Sequence, residues 1–302
     1  MDKRGIIISL LLISMIFLFS GCQKTEKVEG PERFLGTKEG VSLSFVSGKP
    51  LSQFSRGDSI PVEVVLKNGG EYDIPAGDLE VKLFGINLKS FNLPEEYQKV
   101  NSEVHGVNQF FTEPGEVRVN FGNLKYDEEI VSRSYAFTMR AKSCYRYQTN
   151  IESNICVGST QAAETGAEKV CVIDGEKIKS GDVSSAPIQV TSLTEKLFGR
   201  DKLQIKFIVK NQGMGEVYLP ETNCELPGEE GLIKVDVNPD DINCFFDDGE
   251  NDKGIISLDN GAETVTCFRT VSVGEENYED KINIKLTYKY VDRTSTTFNV
   301  FA

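Results

Sequence analysis

Apolar and polar residues alternate along most of this chain after residue 40. Val41, Leu43 and Phe45 alternate with serines. Pro61–Leu66 is rich in β-branched residues, and Gly69-Gly70 ends that run. A period of two is typical of a β-strand with one buried face, whereas an amphipathic helix repeats every 3.6 residues. The pattern therefore predicts short strands separated by turns that contain Gly, Pro, Asn and Asp.

The second half of the chain repeats the first at an offset of 143 residues. Two motifs share this register: Leu66–Gly70 aligns with Val209–Gly213, and Tyr145-Arg146-Tyr147 aligns with Tyr288-Lys289-Tyr290. Apolar positions keep the same offset, since Val62, Val64, Met139 and Ala141 fall on Ile205, Phe207, Ile282 and Ile284. Separated motifs in one constant register predict two domains of the same fold.

Each repeat has about 105 to 115 residues, which suits a Greek-key β-sandwich. We expect an all-β protein with one Ig-like sandwich at residues 37–147 and a second, in tandem, at 187–302. The element V-x-V-x-L-K-N-x-G over Val62–Gly70 resembles the Ig-like modules of the CARDB type in prokaryotic surface proteins, archaeal ones included. The resemblance implies that the Asn-Gly turn follows the second strand of a sandwich. The chain has no Trp and so lacks the core Trp of antibody domains.

Residues 1–22 have the pattern of a signal peptide, because Lys3 and Arg4 precede the apolar run Ile6–Phe19. That run is shorter than the roughly 20 residues that cross a hydrocarbon core. Phe19-Ser20-Gly21-Cys22 resembles the lipobox of bacterial and archaeal lipoproteins, which implies that Cys22 carries a lipid and becomes the N-terminus. Residues 23–36 have no apolar periodicity and predict a flexible tether.

Three other interpretations of this segment stay open. An ordinary secretory cleavage site would leave Cys22 as a spare thiol, and an uncut chain would keep Ile6–Phe19 as a transmembrane helix. Lys3-Arg4-Gly5 before Ile6 also resembles the processing site of archaeal type IV pilin-like proteins. That resemblance implies a retained helix and a structural role in a filament.

The chain is acidic and has 302 residues with a formal net charge of −13, which becomes −14 once residues 1–22 are removed. Such a charge repels nucleic acid and anionic membrane surfaces. We therefore expect no nucleic-acid partner and attachment to the membrane only through the N-terminal lipid or helix. The expected location is the extracellular face of the cell membrane.

Apart from Cys22, the chain has six cysteines: Cys144, Cys156, Cys171, Cys224, Cys244 and Cys267. An even number in an exported protein predicts disulfides, and the absence of a C-x-x-C pair argues against zinc. Among fifteen connectivities, we prefer Cys144–Cys156 across a hairpin that turns at Asn150. Cys244–Cys267 and Cys171–Cys224 then complete the set.

Residues 148–186 form the predicted linker between the sandwiches. It contains Cys156, the soft stretch Gly158–Gly166 and Cys171 within a Val-Cys-Val-Ile strand. On the last strand of the first unit, Cys144 points to the face opposite Tyr145, and hence toward the linker. We expect the disulfides to hold the two domains in a fixed relative orientation, so that reduction would broaden the distribution of interdomain distances.

Catalytic and metal motifs are weak in this sequence. His105, the only histidine, has no Ser in a G-x-S-x-G setting to activate, and a solvent-facing loop is its expected place. The acidic run Asp247, Asp248, Glu250 and Asp252 supplies oxygen ligands for Ca²⁺, but it lacks the calcium-loop pattern and contains Lys253. An acidic hairpin loop is the preferred interpretation.

Residues 85–115 are longer than a simple hairpin needs and contain the aromatic residues Phe91, Tyr97, Phe110 and Phe111. Loops on a rigid sandwich often carry binding sites, which makes these four a candidate ligand loop. The alternative is that one of Phe110 and Phe111 lies in the core.

We predict a non-catalytic, membrane-anchored surface lipoprotein without a cofactor, which serves adhesion, assembly or ligand binding through a protein or cell-surface partner. The rival is a pilin-like subunit.

Overall fold

The computed structural model describes residues 33–158, 171–225, 228–272 and 277–302, and only the backbone of Glu250. The predicted signal peptide, Cys22 and residues 23–32 of the tether lie outside the described residues, as does most of the stretch Gly158–Gly166. Across the part that is described, no helix has the length and hydrophobicity needed to span a bilayer.

The described residues form β-strands and one short 3-10 helix at Leu88–Phe91, so the predicted all-β class is confirmed. In chain order the strands are β1 Val41–Phe45, β2 Gln53–Ser55, β3 Ile60–Asn68, β4 Leu79–Phe84, β5 Gln98–Lys99, β6 Gly115–Leu124, β7 Ser134–Val157, β8 Gly175–Glu176, β9 Ile188–Phe198, β10 Lys202–Asn211, β11 Glu216–Tyr218, β12 Leu232–Asn238, β13 Ile242–Phe246, β14 Gly249–Asn251, β15 Lys253–Ser257, β16 Ala262–Thr270 and β17 Tyr278–Phe301.

The strands form three sheets. One small sheet has the order β1-β3-β6, and another has the order β14-β13-β16-β10-β9-β8. The third has the order β15-β12-β17-β7-β4-β5, and β11 and β2 also pair with β17. We call this third sheet the shared sheet, because it includes strands from both halves of the chain.

Two strands of 24 residues form the centre of the shared sheet. β7 and β17 pair antiparallel over their whole length, from Ser134 opposite Phe301 to Val157 opposite Tyr278. β4 pairs with the first part of β7, and β12 pairs with the first part of β17. One continuous sheet therefore runs through both halves, and the buried apolar residues of the two halves form one core.

Both small sheets pack on the same face of the shared sheet, through equivalent contacts. The Tyr147 hydroxyl on β7 donates to Asn68 Oδ1 at the end of β3 (2.8 Å), and the Tyr290 hydroxyl on β17 donates to Asn211 Oδ1 at the end of β10 (3.1 Å). Each asparagine amide also donates to a backbone carbonyl four residues later, at Tyr72 and Gly215. These repeated contacts confirm the register of the sequence repeat.

The predicted linker begins inside β7. No hairpin turns at Asn150, because β7 continues beside β17 as far as Val157. The later part of this region also packs on the fold: Gly175–Glu176 pairs with β9, and Ile151 forms a bridge with Val183. Cys171 lies outside any strand, contrary to the prediction.

Three disulfides join Cys144 to Cys224, Cys156 to Cys171 and Cys244 to Cys267. The predicted pair Cys244–Cys267 is confirmed, since these residues lie opposite each other on β13 and β16. The predicted pairs Cys144–Cys156 and Cys171–Cys224 are wrong. Along a straight strand Cys144 and Cys156 lie about 40 Å apart, which no disulfide can bridge.

Candidate functional site

A polar groove lies on the outer face of the shared sheet, opposite the core. Every second residue of β7 from Arg140 onwards points to this face, as alternation along a strand requires. The floor of the groove is formed by Arg146 and Gln148 of β7, Lys285 and Thr287 of β17, and Lys234 and Asp236 of β12, and its volume is ≈ 580 Å³. The sheet thus places side chains from distant parts of the chain around one cavity.

Two of the four cations in the groove are neutralised by carboxylates. Lys234 pairs with Glu221, and the Lys253 ammonium lies 3.5 Å from an Asp236 oxygen. Arg146 and Lys285 have no hydrogen bond or ion pair from their side chains to any described residue. Asp236 lies opposite Lys285 on the neighbouring strand, and the Arg146 charge helps to lower the pKa of Glu221. With Asp248, the groove is lined by four cations and three carboxylates, a net charge of +1 in an otherwise acidic protein.

The spacing of Arg146 and Lys285 follows from the strand register. Lys285 lies opposite Asn150 on β7, four residues beyond Arg146, so the two charges are separated by about 13 Å along the strands. Gln148 lies opposite Thr287 between them, and these side chains add hydrogen-bonding groups. The arrangement suits an extended ligand with more than one acidic group.

One wall of the groove is a loop held by a disulfide. Cys224 bonds to Cys144 on the outer face of β7, and Cys144 is 1% exposed because this loop covers it. The Lys289 ammonium donates to the Thr222 carbonyl at 2.7 Å, which fixes the same loop. Cys144 therefore points outward as predicted, but toward a loop of the second half of the chain rather than the predicted linker.

Beyond this loop, three cations lie side by side on neighbouring strands. Lys82 of β4 and Arg293 of β17 flank Lys142 of β7. Glu225 accepts from Lys82 at 2.8 and 2.9 Å, and Glu216 accepts two hydrogen bonds from Arg293 at 2.6 and 2.7 Å. The outer two charges are thus compensated.

The central cation, Lys142, lies 5.0 Å above the Tyr97 ring and is partly buried. Burial and the neighbouring Lys82 ammonium lower the pKa of Lys142, while Glu225 and Glu216 oppose this shift. Burial and the Glu225 and Glu80 carboxylates raise the pKa of the Tyr97 hydroxyl, which donates to the Cys224 carbonyl at 2.8 Å. Tyr97 therefore supports the loop.

The four aromatic residues of the predicted ligand loop do not form one site. Phe91 is 1% exposed and packs against Tyr126, Phe137 and Phe298, so its assignment to a binding surface is wrong. Phe110 and Phe111 are 88% and 71% exposed, which also excludes the alternative that one of them enters the core.

His105 lies on the surface as predicted, with its Nδ1 atom 3.4 Å from a Glu103 oxygen and 3.8 Å from an Asp73 oxygen. Ile74 and Val104 form a β-bridge, which places Asp73, Glu103 and His105 on the opposite, exposed side. Among the described residues, these three are the group whose spacing could hold a metal ion.

The predicted calcium ligands are not gathered around one point. Asp247, Asp248 and Asp252 do not form a group with metal-ligand spacing among the described residues, and the Glu250 side chain lies outside them. Asp248 Oδ1 accepts instead from the backbone N–H of Ile255 at 2.9 Å, and the Asp247 N–H donates to the Ile255 carbonyl. Asp247 and Asp248 form the turn of the hairpin between β13 and β14, and Asp252 lies between β14 and β15.

No protein-family model and no curated protein matches this chain. Among solved structures, the crystal structure of a collagen adhesin from S. aureus aligns with 90% of this chain and 95% of that chain, at 10% identity and a TM-score of 0.13. A TM-score this low carries no argument for a common fold or function.

The groove was missed by the sequence analysis. Alternation along β7 already placed Arg146 on the outward face, but nothing in the sequence indicates that β12 and β17 bring Lys234 and Lys285 beside it. The pairing of distant strands decides which outward residues share a cavity.

Proposed function

We propose that this protein is a non-catalytic, membrane-anchored extracellular lipoprotein that binds an extended acidic ligand or partner in the groove of the shared sheet. The observation that carries the proposal is the net positive charge of the groove, on whose floor Arg146 and Lys285 have no ion-pair partner among the described residues. An acidic peptide segment or an acidic oligosaccharide has the matching charge and length. Binding of this kind serves adhesion, assembly or ligand capture at a cell surface.

Two observations support a binding role over an enzymatic one. All six cysteines outside the N-terminal segment are in disulfides, so none is available as a nucleophile. His105 has carboxylates as its near neighbours, on an exposed loop remote from the groove floor. Arg146, in contrast, suits recognition, because a guanidinium binds carboxylates with two parallel hydrogen bonds.

The groove is tested by titrating two probes, a hexaglutamate peptide and a galacturonate hexasaccharide, into the native protein. We expect binding of one probe at low ionic strength, and a loss of about ten- to hundredfold in affinity for each of Arg146→Ala and Lys285→Ala, since a charged hydrogen bond contributes about 1.5–3 kcal/mol. Salt should weaken binding.

Lys281→Ala is the matched control, because Lys281 is exposed on the same strand and face as Lys285 but outside the groove. Its affinity should equal that of the wild type. If neither probe binds, or if all three variants bind alike, the groove is not the binding site.

The anchor rests on the pattern Phe19-Ser20-Gly21-Cys22. Cys22→Ser should release unlipidated protein or block maturation, as measured by the N-terminal mass and by partition between membrane and medium. An unchanged mass and unchanged membrane partition would show that Cys22 carries no lipid. The pilin-like alternative retains Ile6–Phe19, which the same mass would reveal.

A further inference from the structure

Residues 108–112 form an exposed turn, here called the Phe tip. Asn108 Oδ1 accepts from the backbone N–H groups of Phe110 and Phe111 at 2.8 and 2.9 Å, and the Asn108 N–H donates to the Phe111 carbonyl at 2.8 Å. These bonds hold the two phenylalanines away from the core, at 88% and 71% exposure. Exposure of two adjacent phenylalanine side chains to water is unfavourable in free energy, and it indicates a contact with an apolar surface.

The Phe tip is uncharged, although 26% of the residues in this chain are charged. Its sequence is Asn-Gln-Phe-Phe-Thr, and the nearest charge that follows along the chain is Glu113. Aromatic and neutral polar side chains are those that the interface between water and lipid accepts best, whereas buried charges are expensive there. The composition therefore fits a neutral lipid surface.

The first described residues of the chain lie at the base of the Phe tip. The Gln109 amide donates to the Arg33 carbonyl at 3.4 Å. The Arg33 guanidinium is also 2.6 Å from a Glu152 oxygen, and the Phe34 N–H donates to the Gly181 carbonyl at 3.1 Å. The chain therefore leaves toward its N-terminus from a fixed point beside the tip.

Only residues 23–32 separate this point from Cys22, and ten residues span at most about 36 Å when fully extended. We propose that the Phe tip inserts into the outer surface of the bilayer that holds the N-terminal anchor, an inference that rests on the proposed membrane anchorage. The anchor keeps the tip at a high effective concentration near the lipid. The inserted phenylalanines then give the protein a second membrane contact and orient its sheets relative to the surface.

The absence of Trp from the chain makes this insertion measurable. Single variants Phe110→Trp and Phe111→Trp, each in the full-length lipidated protein, are placed in neutral phosphatidylcholine vesicles with brominated acyl chains. We expect a blue-shifted emission and strong quenching by the brominated lipid for both variants.

Val131→Trp is the matched control. Val131 is 82% exposed and lies beyond the far end of β6, whose ten residues from Gly115 to Leu124 separate it from the tip by about 33 Å. Its emission should remain that of a tryptophan in water, without quenching. Equal quenching at position 131 and at the tip would overturn the proposed orientation.

The N-terminal mass and the membrane fractionation are measured on the same samples. The proposed tip insertion and the proposed anchor at Cys22 can therefore be tested separately. A lipidated, membrane-bound protein whose tip tryptophans are unquenched rejects the tip and leaves the anchor intact. Quenched tip tryptophans in a protein without lipid support the tip and reject the anchor at Cys22. A blue shift that grows with protein concentration in the absence of vesicles would assign the tip to a second copy of the chain and reject the lipid contact.

Discussion

At the scale of single residues, four tyrosines mark the centre of the molecule. Tyr145 lies opposite Tyr290, and Tyr147 opposite Tyr288, on the inner face of the shared sheet. Burial raises the pKa of each hydroxyl above its usual value. All four are therefore neutral hydrogen-bonding groups at physiological pH, and they connect the shared sheet to the small sheets without burying a charge.

The Tyr147 hydroxyl should contribute measurably to stability. Tyr147→Phe removes the bond to Asn68, a fully buried side chain whose Oδ1 then retains only the Gly70 N–H at 3.3 Å. We expect a loss of about 1–2 kcal/mol in the free energy of unfolding, measured by chemical denaturation. Tyr278→Phe is the control, since Tyr278 is 43% exposed. Equal effects of the two substitutions would contradict this role.

At the scale of elements, the chain differs most from expectation at the end of the first repeat. The alternation of Tyr145 and Tyr147 continues without a break through Ile151 and Ile155, all of them buried. This alternation does not distinguish a hairpin of two strands that turns at Asn150 from one strand that continues past it. A partner strand of equal length, β17, makes continuation favourable because it pairs the backbone groups of residues 148–157.

The two disulfides that the sequence analysis paired wrongly should differ in their effects on stability. Cys144–Cys224 closes a separation of 80 residues and Cys156–Cys171 one of 15. Loop-closure entropy assigns about 4.5 kcal/mol to the first and about 3 kcal/mol to the second. Chemical denaturation of the paired variants Cys144→Ala/Cys224→Ala and Cys156→Ala/Cys171→Ala should show the larger loss for the first pair. A larger loss for the second pair would contradict this.

At the scale of the whole molecule, residues 33–302 form one compact unit. Disulfides were expected to hold two tandem domains in place, so that reduction would broaden the distances between them. The structure indicates a different cause of rigidity, since β7 and β17 pair with each other along their whole length. Separating the halves would require breaking the backbone pairing of both strands.

We therefore expect reduction of the disulfides to lower the free energy of unfolding while leaving the distance distribution from small-angle scattering unchanged under native conditions.

Two core substitutions test whether the halves unfold together. Leu66→Ala in the first half and Phe207→Ala in the second, both fully buried, should lower the free energy of unfolding by about 2–5 and 3–5 kcal/mol. Each should shift one common unfolding transition, measured by calorimetry. Two separate transitions, or a broadened distribution after reduction, would instead indicate independent domains.

The sequence by itself determined the local and periodic properties of this protein. Alternation predicted the strands, because one face of each strand is buried. The offset of 143 residues predicted equivalent places for β3 and β10, and Asn68 and Asn211 at their ends make matching contacts. The pair Cys244–Cys267 was one preferred choice among fifteen connectivities, and the structure places its two residues opposite each other on neighbouring strands. The assignments of residues 1–22 and of Cys22 stay predictions.

Only the tertiary structure decided which strands pair, and with them the partner of Cys144 and the residues of the groove. Periodicity shows which side of a strand a residue faces, but it carries no information about the strand beside it. Arg146 and Lys285 share a cavity because β7 pairs with β17 in one particular register. Shifting that register by one residue would turn every side chain of one strand to the opposite face, so burial of the whole core selects it.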